Sequence, residues 1–308
     1  MYEFTRIPRS WVEDASLVNE IWVPGKWMRD VFASCGVPVS KMIVIREGVD
    51  VLRFDPTIRG RIELPFSAAR NWERACNGPG SAANFNFVSN FKWEPRKGWD
   101  ILFDAYFHEF TADDDVSLYV LTTAFRSGDT VSDFYRSVEA IGTRLAGERL
   151  PHFCIVTERL SENDLGDLYN SADAFVLPTR GEGWGLPTIQ AMALGKPTIS
   201  TAWGGQMEFM TQETSFLIEL DGLEEIPTDS VYGYDIGKKW ATPSVRHTAE
   251  LMRYVTRERE HAAAVGRRAR AHIVAHFSEE AVAQLADRRL HEIRSWLKHV
   301  RQRSVKRL

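Results

Sequence analysis

Short apolar runs alternate with longer amphipathic stretches through the middle of the chain, a rhythm that predicts strands separated by helices. From Asn84 onward it is regular, with strands expected at Phe85–Ser89, Ser117–Thr122, His152–Thr157, Ala174–Pro178 and Pro197–Thr201. Helical spacing fills Trp99–Phe110, Val131–Leu145, Glu162–Ser171 and Pro187–Leu194, with Ser161 as an N-cap. The strands are almost wholly apolar, as strands covered on both faces are. The expected fold class is therefore α/β, a doubly wound parallel sheet of Rossmann-like type. Further helical patterns at Pro243–Glu258, His261–His276 and Glu279–Lys298 follow a polar insertion at 221–243.

The start of the chain departs from this rhythm. Residues 18–25 and Lys41–Ile45 read as strands flanking a helix at Lys26–Cys35, a partial N-terminal β-α-β piece. Residues 55–84, rich in proline, glycine and asparagine, read as an irregular linker able to pack locally through Phe66 and Trp72.

A net charge of −4 argues against nucleic acid as a partner. One basic cluster stands out, Lys298, Arg301, Arg303, Lys306 and Arg307, and is either a solvated helix end or a peripheral membrane contact. Three cysteines, Cys35, Cys76 and Cys154, lack metal-ligand spacing and fit a reducing compartment rather than a disulfide framework. No run of 18 apolar residues occurs, and Met1–Ser10 lacks a signal-peptide pattern, so a cytoplasmic protein is expected.

In an open α/β sheet, ligands sit at the carboxyl ends of the strands. There Thr179-Arg-Gly-Glu-Gly-Trp-Gly-Leu-Pro187 feeds a glycine-rich turn into a helix N-terminus, an arrangement suited to a diphosphate. The glycine pattern alone is equally compatible with a tight connection that binds nothing. The longer frame from Glu182 through Gln190 to Ile199 resembles the signature of family-4-type retaining glycosyltransferases of the GT-B fold (glycosyl transferases group 1), mainly their C-terminal donor-binding domain. The likeness extends to Tyr169–Pro178 and to Trp203-Gly204-Gly205.

That resemblance implies a nucleotide-diphosphate-sugar donor, no cofactor and no metal. Glu182 then sits beside the donor sugar as the catalytic-site carboxylate, and the turn Gly183, Trp184, Gly185 and Leu186 meets the distal phosphate. Gln190 stands where the family has a ribose-binding Glu; a neutral amide accepts more weakly, and as a helix residue it also reads as solvent-facing. Phe91–Asp100 resembles the family's second basic motif, aligned on Lys97-Gly98. Lys97 is one diphosphate cation, and Lys92 and Arg96 compete for the other. Asp113-Asp114-Asp115 reads as a solvated turn, and the eight histidines as surface or packing residues.

The resemblance also divides the chain. Residues 1–55 correspond to the end of an acceptor-side N-terminal domain, 84–276 to the nucleotide-sugar-binding domain and 277–308 to a helix crossing back between domains, while 56–83, outside the resemblance, read as a linker or irregular insertion. The family's glycine-rich first loop and catalytic-side histidine have no counterpart here. The implied function is a retaining glycosyltransferase acting on a glycan, lipid or small-molecule acceptor, possessing only part of the acceptor site or completed by a partner chain. The alternative is a nucleotide-sugar-binding module without turnover. A glycoside hydrolase ranks low because Gln190 removes a second carboxylate, and a dehydrogenase because no GxGxxG follows Ser89.

Overall fold

The computed structural model describes residues 3–64, 72–78, 85–146, 149–227 and 237–305. Its first part runs α1 (Arg9–Asp14), β1 (Ile21–Val23), α2 (Lys26–Ser34) and β2 (Met42–Val44). β1 and β2 pair in parallel, Ile21 opposite Met42, which is the β-α-β piece read from the sequence.

There follow β3 (Arg74–Cys76), β4 (Phe85–Trp93), α3 (Trp99–Glu109), β5 (Val116–Ala124), α4 (Val131–Ala146), β6 (His152–Val156), α5 (Glu162–Ser171), β7 (Ala174–Leu177), α6 (Leu186–Ala193), β8 (Thr198–Thr201) and β9 (Phe216–Ile218). These strands form one seven-stranded sheet in the order β3-β6-β5-β4-β7-β8-β9. Every pairing in it is parallel except that of β3 with β6. The chain steps from β4 outward to β5 and β6, then returns to β7 on the other side of β4. That reversal sets the loops leaving β4 and β7 side by side at the carboxyl rim, where ligands of such sheets bind.

The sheet forms because its strands are apolar on both faces. Phe87, Val88, Leu118, Val120, Ile155, Val176 and Ile199 are fully buried beneath Phe103 of α3 and Ile189 and Met192 of α6. Each such side chain contributes roughly 1.5–3 kcal/mol by leaving water. α5 begins where the pattern predicts, with Ser161 Oγ accepting from Asp164 N at 3.1 Å. In the acidic run, Asp114 accepts from Thr111 N at 2.9 Å and pairs with Arg253 at 2.7 Å.

Antiparallel strands β10 (Leu220–Glu225) and β11 (Lys239–Pro243) come next, then α7 (Val245–Arg257), α8 (Arg259–Phe277) and α9 (Glu279–Val305). Ile226 and Trp240, at the ends of this pair, share a small core with Phe4, Val23, Met28 and Met42. The N-terminal part is also tied down by Val49 N donating to Phe277 O at 2.9 Å and by Arg289 of α9 on Glu20.

Three expectations need correcting. The stretch read as irregular linker contributes Arg74–Cys76 to the sheet as an antiparallel edge strand, too short to show a period. Its register sets Cys76 opposite Cys154, and the two form a disulfide, so these cysteines are not the unpaired thiols the spacing suggested. The polar insertion carries β10 and β11, whose burial against the N-terminal core is confined to a few positions. Phe66, the centre of the insertion (228–236) and the basic residues Lys306 and Arg307 lie outside the described residues. No helix among the described residues is long and apolar enough to cross a membrane.

Candidate functional site

The loop leaving β4 turns through a single 3-10 turn, Pro95–Lys97, and enters α3 at Gly98. Gly98 has φ +66°, and a Cβ there would collide with the Pro178 carbonyl oxygen just beyond β7. Only glycine lets the two loops approach this closely. Backbone then joins them directly, Arg180 N donating to Arg96 O at 2.7 Å. The Arg180 guanidinium bridges the same gap with donations to Pro95 O and to both oxygens of Asp100, each at 2.7 Å.

Three sequence-predicted residues meet at this junction. Lys97 Nζ donates to Glu182 Oε1 at 2.7 Å, and Arg96 Nη1 stands 3.8 Å from Glu182 Oε2. Arg96 also donates to Gly181 O at 2.6 Å and to Glu94 Oε1 at 2.5 Å. The Thr179 hydroxyl lies 3.0 Å from Glu182 Oε1. Glu182 is only 5% exposed, so burial pushes its carboxyl upward; the charges of Lys97 and Arg96 and the two hydrogen bonds outweigh that and hold it below the ordinary value. A buried carboxylate kept ionised by two cations is the electrostatic centre of this rim.

The two competing cations are thus placed apart. Arg96 sits in the cluster with Lys97, whereas Lys92 is an exposed residue of β4 whose ammonium lies 4.6 Å from the centre of the Phe125 ring. Within the glycine turn, the Trp184 indole is buried, packed against Phe209 and Phe277, so its side chain is part of the core. Leu186 begins α6 and is 44% exposed, and Gln190 is half-buried one turn further on.

Several residues at the site carried no role from sequence alone. Gly205 N donates to Glu182 O at 2.7 Å, so a second glycine pair, Gly204-Gly205, backs the first turn. Gln206, fully buried, donates to Thr201 O at 2.6 Å and accepts from Ser200 Oγ at 3.2 Å behind Gly185. Glu3 reaches the cluster from the far end of the chain, its carboxylate 3.9 Å from Arg96 Nη2. The repeated glycines after Trp203 were a visible signal; nothing local marks Glu3 or Gln206.

Residues 82–227 match the sequence profile of the family described as Glycosyl transferases group 1. Over that stretch, just under half of the chain, the sequence is similar to that family. Among curated relatives, the lipopolysaccharide core biosynthesis mannosyltransferase LpsB of Rhizobium meliloti is 31% identical over 100 residues, 32% of this chain and 28% of its own. The D-inositol 3-phosphate glycosyltransferase of Corynebacterium urealyticum is 26% identical over 183 residues, 59% of this chain and 40% of its own. The chain therefore spans less than half the length of these curated relatives. Among solved structures, Anabaena Alr3699/HepE in complex with UDP and glucose superposes with a TM-score of 0.66 at 18% identity, covering 92% of this chain and 66% of that one. A glycosyltransferase from Rickettsia africae gives 0.67 at 15% identity, covering 95% and 69%. These superpositions establish the shared fold, an α/β architecture of the GT-B type with a mostly parallel central sheet.

Proposed function

We propose that the chain binds a nucleotide-diphosphate sugar at the rim between β4 and β7 and that this is the donor half of a retaining glycosyltransferase. One observation carries the reading: the Lys97 loop and the Glu182 turn, separated by 85 residues, meet in a buried ion pair above the N-terminus of α6. Two cations beside a glycine turn that leads into a helix N-terminus support a diphosphate as the ligand. The family match and the UDP and glucose bound by HepE support the same ligand class.

In this reading Lys97 and Arg96 neutralise the diphosphate, with Gly183–Leu186 offering backbone N–H groups and Gln190 accepting from a ribose hydroxyl. Lys97 exchanges its Glu182 partner for a phosphate oxygen, and the released carboxylate accepts from a hydroxyl of the sugar. As the sugar–phosphate bond breaks, negative charge grows on the diphosphate, where fixed cations stabilise it most. The acceptor hydroxyl attacks from the same face and passes its proton to a donor phosphate oxygen. These protein charges do the work without a metal. Lys92, outside the cluster, stays at the margin of the site.

Thermal-shift screening against UDP-, GDP- and ADP-sugars tests the ligand, since a ligand bound to the folded state alone raises its stability by mass action. At least one is expected to raise Tm, and Lys97→Ala to abolish the shift. An unchanged shift in that variant would overturn the phosphate assignment. Measuring sugar transfer on the same sample separates a transferase from a module that binds without turnover.

A further inference from the structure

The extreme N-terminal segment takes part in the site just described. Phe4 is buried against Trp240 of β11, ring centres 6.4 Å apart. Thr5 N donates to Lys239 O at 3.2 Å, and Lys239 N donates to the Thr5 hydroxyl at 3.0 Å. These contacts lay residues 3–5 across the glycine turn. A Cβ on Gly181 would come within 2.5 Å of the Glu3 carbonyl oxygen, so the strap passes in direct contact with the residue preceding Glu182. Ala241 N donates to Arg180 O at 2.8 Å, fixing β11 to the same turn. The strap is therefore anchored on two sides.

Its carboxylate is held differently from its neighbours. Three carboxylates surround the Arg96 guanidinium: Glu94 at 2.5 Å, Glu182 at 3.8 Å and Glu3 at 3.9 Å. Glu94 makes a hydrogen bond of the kind that builds a fold, while Glu3 stands beyond hydrogen-bond reach of the same nitrogen. Burial raises the Glu3 carboxyl above its ordinary value; Arg96 and Lys97 pull it down and Glu182 pushes it up. Glu94 and Glu182 are the nearer partners of Arg96 and Lys97, and Glu3 joins them only through the longer Arg96 ion pair. That position makes sense if hydroxyl groups come to it.

Resting on the donor-binding reading above, we propose that Glu3 contacts the transferred sugar, accepting from its hydroxyls on the wall facing Glu182. The chemical class it recognises is the polyol face of the hexosyl group, not the nucleotide or the diphosphate. Two carboxylates flanking one ring then read the placement of hydroxyls on it, and Glu3 is a specificity-determining residue. A hydrogen bond to an ionised acceptor is strong enough for its loss to cost about tenfold in affinity or more.

Calorimetric titration separates sugar from nucleotide. Wild-type chain, Glu3→Ala and Glu3→Gln are each titrated with UDP, GDP and ADP and with the corresponding hexose conjugates, after their ligand-free Tm values are compared. The expected result is that wild type binds one conjugate more tightly than its parent diphosphate. Glu3→Ala should lose about tenfold for the conjugate while its diphosphate affinity stays within about twofold, and Glu3→Gln should retain part of the difference through its amide oxygen. Equal losses for both ligands, no loss for either, or a wild-type chain indifferent to the sugar would each overturn the assignment to Glu3. Wild-type chain that binds no diphosphate at all would overturn the donor reading itself, and this proposal with it.

Discussion

Two lysines at opposite rims of the same sheet are almost equally hidden, and the difference between them lies in their partners. Lys97, at the carboxyl rim, has an 11% exposed side chain and donates to the Glu182 carboxylate. Lys196, at the amino rim, is 9% exposed and donates to Asn170 O at 2.8 Å and Ala172 O at 2.9 Å. Those carbonyls close the C-terminus of α5, where a cation is favoured by the helix dipole and completes the backbone's hydrogen bonding. Backbone carbonyls cannot leave, so Lys196 is a fixed cap. A carboxylate is exchangeable for a phosphate oxygen, which is the exchange that the proposed donor site asks of Lys97. Burial of a cation alone does not mark a binding site; an exchangeable partner does.

The strongest way to break this comparison is to remove Lys97 with and without its partner. Lys97→Met leaves Glu182 buried beside Arg96 alone, and breaking a buried pair costs about 3–5 kcal/mol. The double variant Lys97→Met, Glu182→Gln should recover most of that stability in denaturant unfolding yet show no donor-induced shift. If it still responded to the donor, Lys97 would be as structural as Lys196.

Lys196→Met is the converse. Losing its two hydrogen bonds should lower stability by about 2 kcal/mol while leaving the donor-induced shift as in wild type. Burial, and secondarily Arg61, brings the Lys196 ammonium from an ordinary 10.5 down to about 8, with Asp173 opposing. The folded chain then sheds this proton before the unfolded chain does, so wild type should gain stability relative to Lys196→Met as pH rises from about 8 to 10.5. A parallel pH profile for the two proteins would contradict that.

At the other rim the sign reverses. Glu182 is held below its ordinary 4.5, so the stability it contributes is complete above that pH and is lost as acid protonates it. Chemical denaturation between neutral pH and the acid limb should show Glu182→Gln losing less stability than wild type below about 4.5. Equal losses would mean that another carboxylate governs the acid limb.

How legible these features were depended on the range of the interaction behind them. Gly98 and the Gly181–Pro187 turn announce themselves because a single backbone conformation or close approach dictates the residue type. The strands β4 to β8 are legible as unbroken apolar runs. β3 and β9 have three residues each, too few for any periodicity, and the Cys76–Cys154 pairing follows from the register of β3. Choosing between Lys92 and Arg96 depended on where strand β4 ends; it runs on to Trp93, leaving Lys92 within it and Arg96 in the turn. Glu3 meets Arg96 across 93 residues and an intervening strand pair, a contact that no local pattern encodes.

The finest distinction concerns Gln190, on the first turns of α6 and half-buried. If its amide oxygen accepts from the ribose, replacing it with a carboxylate should strengthen binding, because an ionised acceptor forms the stronger hydrogen bond. Gln190→Glu is expected to tighten the nucleoside diphosphate by about 3- to 10-fold, on the order of 1 kcal/mol. The gain is limited because a new negative charge near the N-terminus of α6 also repels the diphosphate, an effect that grows as salt is removed. Titrations at two ionic strengths separate the two contributions. Tighter binding at high salt supports the ribose contact, whereas an affinity that only falls, and falls further at low salt, means the side chain faces solvent and touches the ligand through charge alone.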